Sequence, residues 1–357
     1  MQNKNLKIAH VVSSLAIGGA ERFVVDLSKN QKNNGHSVDI ISFGQENDEL
    51  VNVCEQLNIT TFTILGASKI VKLWRFIKLS NNYDIVHFHS PYPLKFASLF
   101  LKFIKSKIVY TRHGANPLKE KSWIKMHLRV NPYVAAITFV SQEGANVFHA
   151  NHGWNNKQLH VIDNGVEVDL NFQPNRVTDK LRIGSVGRMV ELKGQIDLLR
   201  MAKNLPLHLQ EKIEIHFYGN GPCFDSLQQY WQSEIPHMCV VFHGMITDRT
   251  KIYGELDVLV VTSETEGLSL AIIEAMAFGN PAIGTNVGGT PKLIVDNETG
   301  WLFDYQDTQT LQQHIQKLLE EPELINKLGK QAQHKMHNEF SISSTALKYQ
   351  AIYEKVV

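Results

Sequence analysis

Short apolar runs rich in valine and isoleucine alternate along the first half of the chain with longer segments whose apolar residues recur at helical spacing. The short runs predict strands at 7–12, 37–42, 60–64, 84–89, 107–111, 135–140 and 159–162. The longer segments predict helices at 19–34, 69–81, 94–104, 119–130 and 142–151. Strands and helices that alternate in this way build a parallel sheet joined by right-handed crossovers. The pattern therefore predicts an α/β domain.

The same pattern starts again after Pro174, which indicates a second domain. Its strands are predicted at 181–186, 213–218, 239–242, 257–261, 281–285 and 301–303. A hinge at 165–178 divides the chain into a domain of residues 1–168 and a domain of residues 169–340. The length of 357 residues suits two domains of about 100–200 residues each. The last segment, 341–357, carries apolar residues at helical spacing, and we expect one face of it to pack on a domain surface.

The composition is that of a globular protein, with 43% hydrophobic and 20% charged residues. The three cysteines, Cys54, Cys223 and Cys239, are odd in number and far apart, which argues against a disulfide framework and a cysteine-ligated zinc site. The polar start leads directly into the first strand, unlike a secretion signal. No apolar run approaches the roughly 18 residues of a membrane span. These features predict a cytoplasmic protein.

The net charge of +1 conceals a basic first half. Residues 1–168 hold 19 Lys and Arg against 12 Asp and Glu, and only Asp84 and Glu120 oppose thirteen cations within 68–129. The segments 72–78 and 123–126 interleave basic with aromatic residues, which suits an anionic membrane surface. A helix whose apolar stripe lies in the core explains segment 72–78 equally well, and the sequence leaves both interpretations open. The isoelectric point of 7.8 lies below the range expected of a nucleic-acid-binding protein, so no nucleic-acid partner is expected.

The strongest chemical signal lies at 263–279, where a loop joins the predicted strand 257–261 to a helix that begins near Ser269. Gly267 permits the tight loop, and the free N–H groups of a first helical turn can hold a phosphate. Glu266 stands at the carboxyl end of the strand, where open α/β sheets bind ligands. Glu274 lies two turns into an apolar helix, where a carboxylate needs a partner and vicinal hydroxyl groups would suit it. An exposed position on an amphipathic helix is the alternative for Glu274.

Three further loops follow predicted strands and carry residues suited to a charged ligand. Arg188 and Lys193 lie five residues apart after 181–186, and two such cations can hold a diphosphate. Gly18 and Gly19 let the backbone approach a ligand, although the Gly-x-Gly-x-x-Gly spacing of dinucleotide-binding proteins is absent. His113 stands beside a glycine after 107–111. The alternative for the loop with Arg188 and Lys193 is a solvated basic loop. The alternative for His113 is a structural histidine.

Taken together, these segments resemble the retaining glycosyltransferases of family 4, which have the GT-B fold. The matching motifs run along nearly the whole chain: Gly-Gly-Ala-Glu at 18–21, Thr-Arg-His-Gly at 111–114, Asp-Asn-Gly-Val-Glu at 163–167, Gly-Arg at 187–188, Lys-Gly at 193–194, Tyr-Gly-Asn-Gly-Pro at 218–222, Phe-His-Gly at 242–244, the glutamates at 266 and 274, Gly-Gly-Thr-Pro at 288–291 and Asn-Glu-Thr-Gly-Trp-Leu at 297–302. The resemblance implies an α/β protein of two Rossmann-like domains with a cleft between them. It assigns the acceptor to residues 1–168 and the nucleotide-sugar donor to 169–340, and it implies that a C-terminal helix over 341–357 crosses back to the first domain.

The resemblance also implies a role for each candidate residue. Arg188 and Lys193 hold the donor diphosphate and stabilise the leaving group, Glu266 orients the donor sugar, and Glu274 binds the ribose hydroxyls. The other predicted donor contacts are the backbone of Gly267, Leu268, Ser269 and Leu270, the main chain near Ile246 for the base, and Gly18, Gly19 and His113 from the first domain. The predicted catalytic residues among these are Arg188, Lys193, Glu266 and His113.

The implied activity is the transfer of a sugar, with retention of anomeric configuration, from a UDP-hexose or UDP-N-acetylhexosamine. The implied acceptor is a saccharide or lipid-linked saccharide of surface-polysaccharide synthesis. No metal or other cofactor is expected, and the chain has no Asp-x-Asp motif. Many relatives have Phe-Gly where this chain has Leu268 and Ser269, so the donor sugar is not assigned. The alternatives are a nucleotide-sugar 2-epimerase of the same fold and a non-catalytic subunit that binds nucleotide-sugars.

Overall fold

Every strand predicted in the first half lies in one seven-stranded parallel sheet of the computed structural model, which describes residues 5–114, 120–152, 159–174 and 179–357. The strands are β1 (Lys7–Val12), β2 (Ser37–Ser42), β3 (Thr60–Thr63), β4 (Ile85–Phe88), β5 (Lys107–Arg112), β6 (Val134–Phe139) and β7 (Leu159–Val161). Their order across the sheet is β3-β2-β1-β4-β5-β6-β7. The helices between them are α1 (Gly19–Asn33), α2 (Glu49–Gln56), α3 (Lys69–Ser80), α4 (Pro91–Ala97), α5 (Lys121–Val130) and α6 (Gln142–His152).

The second half repeats this architecture in a six-stranded parallel sheet. Its strands are β8 (Leu181–Val186), β9 (Ile213–Tyr218), β10 (Cys239–Gly244), β11 (Val258–Val261), β12 (Ala282–Thr285) and β13 (Gly300–Phe303), in the order β10-β9-β8-β11-β12-β13. The remaining helices are α7 (Ile196–Asn204), α8 (Leu207–Gln210), α9 (Phe224–Glu234), α10 (Arg249–Tyr253), α11 (Leu270–Ala277), α12 (Thr290–Leu293), α13 (Thr308–Glu320), α14 (Glu323–Glu339) and α15 (Ile342–Val356). The predicted α/β class is confirmed.

The chain divides into two compact units. The first unit comprises Met1–Gly165 together with Ile342–Val357, and the second comprises Val166–Ser341. Residues 175–178 of the predicted hinge lie outside the described residues. Helix α15 belongs to the first unit, where it packs against α1 and buries Tyr349 and Tyr353. Burial of large side chains of this kind stabilises a fold by about 1.5–3 kcal/mol each.

Two helix predictions differ from the structure. The helix predicted at 94–104 is wrong in extent, because α4 ends at Ala97 and a separate 3-10 turn follows at Leu101–Phe103. The start of α4 lies earlier because the Ser90 hydroxyl caps it and Pro91 occupies its first position. Helix α2 was not predicted, because only Leu50 and Cys54 in it are buried. Residue 119 of the helix predicted at 119–130 lies outside the described residues, and α5 begins at Lys121.

No helix in the described part of the chain has both the length and the apolar character needed to span a bilayer.

Candidate functional site

The second sheet has a topological switch point between β8 and β11. The chain moves outward from β8 through β9 to β10, and then returns to place β11 on the other side of β8. Open α/β sheets bind ligands at the carboxyl ends of the two strands beside such a point. Lys193 lies in the loop after β8 and Glu266 in the loop after β11. The topology therefore brings together two predicted catalytic residues that are 73 residues apart.

Lys193 and Glu266 form a close ion pair. The Lys193 Nζ atom lies 2.6 Å from Glu266 Oε1, and the Ser263 hydroxyl donates a 2.7 Å hydrogen bond to the same oxygen. The Glu266 side chain is 7% exposed, whereas that of Lys193 is 34% exposed. A buried carboxylate is costly without a partner, so the lysine stabilises it. The ammonium group also remains accessible to an anion from the solvent side.

Close contacts to backbone atoms hold the loops of this site against one another. The Thr262 hydroxyl donates to the Lys193 carbonyl oxygen at 3.1 Å. Gly194 adopts a left-handed conformation (φ +60°), and a Cβ atom there would overlap the Thr262 carbonyl oxygen. A Cβ atom on Gly289 would likewise overlap the Gly267 carbonyl oxygen. Glycine is required at both positions because another backbone segment approaches so closely.

Gly267 and Leu268 precede α11, Ser269 is its N-cap residue, and Leu270 begins the helix. Leu268 and Ser269 are buried. Among the described residues, none of the backbone N–H groups of these four residues has a hydrogen-bond acceptor. Unpaired N–H groups at a helix N-terminus attract anions through hydrogen bonding and the helix dipole. The loop thus offers donors beside the Lys193 ammonium group.

Glu274 is neither an exposed surface residue nor an isolated buried charge. Arg249 of α10 donates from Nε to Glu274 Oε1 at 2.8 Å, and the Tyr253 hydroxyl donates to Oε2 at 2.7 Å. The sequence analysis missed both partners, because α10 is separated from Glu274 by a strand and a loop. Arg and Tyr four residues apart on a helix face the same way, and that spacing was the available signal. Ile246 lies half-buried in the loop between β10 and α10.

Arg188 lies exposed immediately after β8. The preceding residue, Gly187, has φ +144°, and the Gln195 side chain donates to the Arg188 carbonyl oxygen at 3.2 Å. Among the described residues no carboxylate pairs with its guanidinium group. Arg188 therefore carries a free positive charge on the same loop as Lys193.

Three of the predicted residues belong to the first unit, where the switch point lies between β1 and β4. Gly18 is the N-cap residue of α1, Gly19 is the first residue of that helix, and His113 directly follows β5. Burial lowers the pKa of His113 to about 4, so the ring is neutral at pH 7. His113 contacts His89, a buried residue that the sequence analysis did not single out.

Two family sequence models match the chain. The model described as glycosyltransferase family 4 matches residues 17–170, and the model described as glycosyl transferases group 1 matches residues 168–335. The chain is also 22% identical to N-acetyl-alpha-D-glucosaminyl L-malate synthase of Bacillus anthracis, over 96% of this chain and 95% of the relative. It is 27% identical to the putative glycosyltransferase EpsD of Bacillus subtilis, over 76% of each chain.

The fold is shared with solved structures. HepE from Anabaena, in complex with UDP and glucose, superposes with a TM-score of 0.86 at 19% identity, covering 98% of this chain and 100% of HepE. At this identity the likeness establishes the GT-B fold alone.

Proposed function

Since the chain belongs to the group 1 and family 4 glycosyltransferases of GT-B fold, we propose that it transfers a sugar from a UDP-sugar to a saccharide or lipid-linked saccharide. The second unit binds the nucleotide-sugar donor and the first unit binds the acceptor. Of the donor-binding residues predicted from sequence, those of the second unit lie on loops at the carboxyl edge of its sheet or on α11.

The observation that carries this proposal is the arrangement of cations at the β8–β11 switch point. The ammonium group of Lys193, the guanidinium group of Arg188 and the N–H groups before α11 are all suited to a diphosphate. Among the described residues, the last two have no partner. Positive groups held in place before the reaction stabilise the charge that develops on a departing phosphate. A nucleoside diphosphate is the leaving group with the matching charge.

HepE supports UDP as the nucleotide, because its structure contains UDP and glucose. The Bacillus anthracis relative forms, by its name, an α-linked N-acetylglucosaminide, which supports an α-linked product. We propose retention by front-face attack: the acceptor oxygen bonds to the anomeric carbon, the bond from that carbon to the phosphate oxygen breaks, and the acceptor proton passes to the departing phosphate. Arg188 and Lys193 supply the positive charge, so we propose that no metal is needed. Assays with excess EDTA and an NMR analysis of the product anomer test these two points.

A thermal-shift and titration series with nucleotides tests the donor site. UDP and one UDP-sugar are expected to raise the melting temperature by mass action, with smaller shifts from GDP and ADP. Arg188→Ala should keep the melting temperature of the free protein, weaken UDP binding and lower the transfer rate about 10²–10³-fold. Lys327→Ala, which removes an exposed cation on α14, is the matched control and should change neither property.

The outcomes separate the alternatives. Conversion of the donor to a second sugar nucleotide without an acceptor would indicate a 2-epimerase. Nucleotide binding without turnover for any acceptor would indicate a binding subunit. No shift with any nucleotide at millimolar concentration would refute the proposed donor site.

We also propose that the first unit acts at the cytoplasmic face of an anionic membrane. Phe76 of α3 is buried and Leu73 and Ile77 pack on the core, so part of the helix is structural. The same helix leaves two large apolar residues exposed, Ile70 at 78% and Trp74 at 61%. Cations on α3 lie beside them, with Lys78 Nζ 5.2 Å from the centre of the Trp74 ring. Exposed apolar residues among cations suit a layer of anionic headgroups.

Vesicle flotation tests the membrane proposal. The protein should float with vesicles that contain anionic lipid at low salt and should stay unbound with neutral vesicles. Trp74→Ala combined with Ile70→Ala should reduce flotation. Leu207→Ala, at an exposed leucine of the second unit (69% exposed), should leave flotation unchanged. Equal recovery with neutral and anionic vesicles, or none with either, would overturn the proposal.

A further inference from the structure

Three histidines and a glutamine form a continuous hydrogen-bonded series of side chains in the first unit. Gln31, His10 and His89 are buried, and His113 is partly buried. Gln31 of α1 contacts His10 of β1, with Oε1 2.7 Å from His10 Nε2. His10 Nδ1 lies 2.8 Å from Nε2 of His89, which follows β4. His89 Nδ1 lies 3.1 Å from Nε2 of His113, which follows β5. This series of side chains thus spans the three adjacent strands β1, β4 and β5, beside the β1–β4 switch point.

Burial lowers the pKa of each of the three histidines in this series. The pKa of His10 and that of His113 fall to about 4, and that of His89 falls well below its usual value. All three rings are therefore neutral at pH 7, and each carries one proton on one of its two nitrogens. Phe23 packs edge-on against His113 with the ring centres 5.5 Å apart and is itself fully buried. A protein side chain therefore covers this side of the His113 ring.

The amide oxygen of Gln31 sets the direction of the hydrogen bonds. An amide oxygen only accepts, so His10 Nε2 must carry the proton, and neutral His10 then accepts at Nδ1. His89 therefore donates from Nε2 and accepts at Nδ1, and His113 donates from Nε2. His113 is the last ring of this hydrogen-bonded series, so its Nδ1 carries a lone pair and no proton. That atom is buried and has no partner among the described residues.

We propose that Gln31, through His10 and His89, holds His113 in the tautomer whose Nδ1 accepts a hydrogen bond from a hydroxyl group of a sugar substrate. Gln31, His10 and His89 are positioning residues, and the proposal rests on the function proposed above. A ring locked as an acceptor favours a ligand that donates at this point and disfavours one that cannot.

A metal ion is the competing explanation for the cluster. Ring nitrogens of His10, His87 and His89 lie within 4.8 Å of one another, and all three residues are buried. Both nitrogens of His87 already have close protein partners, Tyr353 at Nδ1 and Thr111 at Nε2, each at 2.6 Å. Both nitrogens of His10 are likewise engaged, by Gln31 and His89. Saturated hydrogen bonding favours the tautomer chain over a metal site.

The tautomers can be observed directly by NMR on the full-length protein labelled with ¹⁵N-histidine and free of ligands. Substitution of His10, His89 and His113 one at a time assigns their signals. We expect a proton on Nε2 and none on Nδ1 for all three rings. A proton on His113 Nδ1 in the unsubstituted protein would overturn the proposal. This experiment needs no substrate, so its result is independent of whether the protein transfers a sugar.

The role of Gln31 is tested with Gln31→Met, which removes the amide but keeps the volume. We expect a mixture of His113 tautomers and a kcat/KM for the sugar substrate lowered about fivefold, the factor expected for one neutral hydrogen bond. Thr138→Val is the matched control: it removes another buried hydroxyl of the same network, bonded to Thr111, but leaves the chain from Gln31 to His113 intact. It should destabilise the unit without changing the His113 tautomer or kcat/KM.

Each remaining outcome bears on the proposal. An unchanged His113 tautomer in Gln31→Met, or equal kinetic losses in both variants, would overturn it. Zinc retained in stoichiometric amount through dialysis against EDTA, with loss of the His10 ring proton, would overturn it in favour of a metal site. The expected tautomers without any sugar transfer would refute the proposed function and leave the tautomer chain standing.

Discussion

Lys193 Nζ and Glu266 Oε1 lie 2.6 Å apart on loops that follow two adjacent strands of the second sheet. The pair has two consequences of different kinds. It neutralises a buried carboxylate, which affects stability, and it fixes an ammonium group at the predicted phosphate site, which affects catalysis. Variants of the two residues can separate these effects.

Lys193→Ala should destabilise the second unit by about 1–3 kcal/mol, because it leaves the Glu266 carboxylate buried with Ser263 as its remaining partner. Adding Glu266→Gln should restore most of that stability, since the buried group is then neutral. The double variant should remain inactive, because the cation for the diphosphate is still missing. Amide hydrogen exchange in β8 and β11 measures the local stability, which is preferable to a single melting temperature in a protein of two units. A double variant no more stable than Lys193→Ala would contradict the assigned pairing.

Gly194→Ala should destabilise the second unit more than Gly244→Ala. Both glycines have left-handed conformations, with φ +60° and +68°, so both alanines carry the same backbone strain of about 1–2 kcal/mol. Only at Gly194 does a Cβ atom also meet backbone, the Thr262 carbonyl oxygen, whereas Gly244 has open space. Gly194→Ala should also weaken UDP binding, because the displaced loop carries Lys193. Equal losses of stability in urea unfolding would show that the close approach to Thr262 is unimportant.

Glu274→Gln should remove most of the preference for ribose over deoxyribose. If Glu274 binds the ribose hydroxyls, the variant should weaken UDP about tenfold, as expected for loss of a charged hydrogen-bond acceptor, and should weaken 2′-deoxy-UDP much less. Glu264→Gln is the control, because that glutamate is exposed on the same loop as Glu266. Isothermal titration with both nucleotides decides the point. Equal weakening of the two would indicate that Glu274 acts only by holding Arg249 and Tyr253.

The first unit should lose stability as the pH falls from about 6.5 towards 4. Burial lowers the pKa of His113 to about 4, while the unfolded ring has a pKa of about 6.5. Between these values the unfolded state binds a proton that the folded state does not, so acid favours unfolding. His113→Asn should flatten the dependence by one proton, and His334→Asn, at an exposed histidine of α14, should leave it unchanged. Hydrogen exchange in β5 at several pH values measures the effect, and an unchanged slope in His113→Asn would contradict it.

The succession of strands and many of their bounds followed from local hydrophobic patterning. The runs at 7–12, 37–42, 181–186 and 213–218 coincide with β1, β2, β8 and β9, because the strands of a parallel sheet covered by helices are rich in valine, isoleucine and leucine. Helix α2 escaped prediction because it buries too little to show the pattern. Propensity and burial along one segment carry this information without knowledge of the rest of the chain.

The sequence by itself also pointed to Arg188, Lys193 and Glu266, which are charged residues beside glycines after strands, and to Glu274, a carboxylate in an apolar helix. It could not pair them. Whether Glu266 meets Lys193, or Glu274 meets Arg249, depends on which strands lie side by side and how their loops converge.

The hydrogen-bonded series of side chains from Gln31 to His113 was decided entirely by tertiary structure. Its members are separated by 21, 79 and 24 residues and meet because β1, β4 and β5 are neighbours in the sheet and α1 covers them. A histidine in an apolar run looks the same in sequence whether it is a lone core residue or part of a network. Only the packing of helices on the sheet excludes solvent, lowers each pKa and gives both ring nitrogens of His10 and of His89 a protein partner.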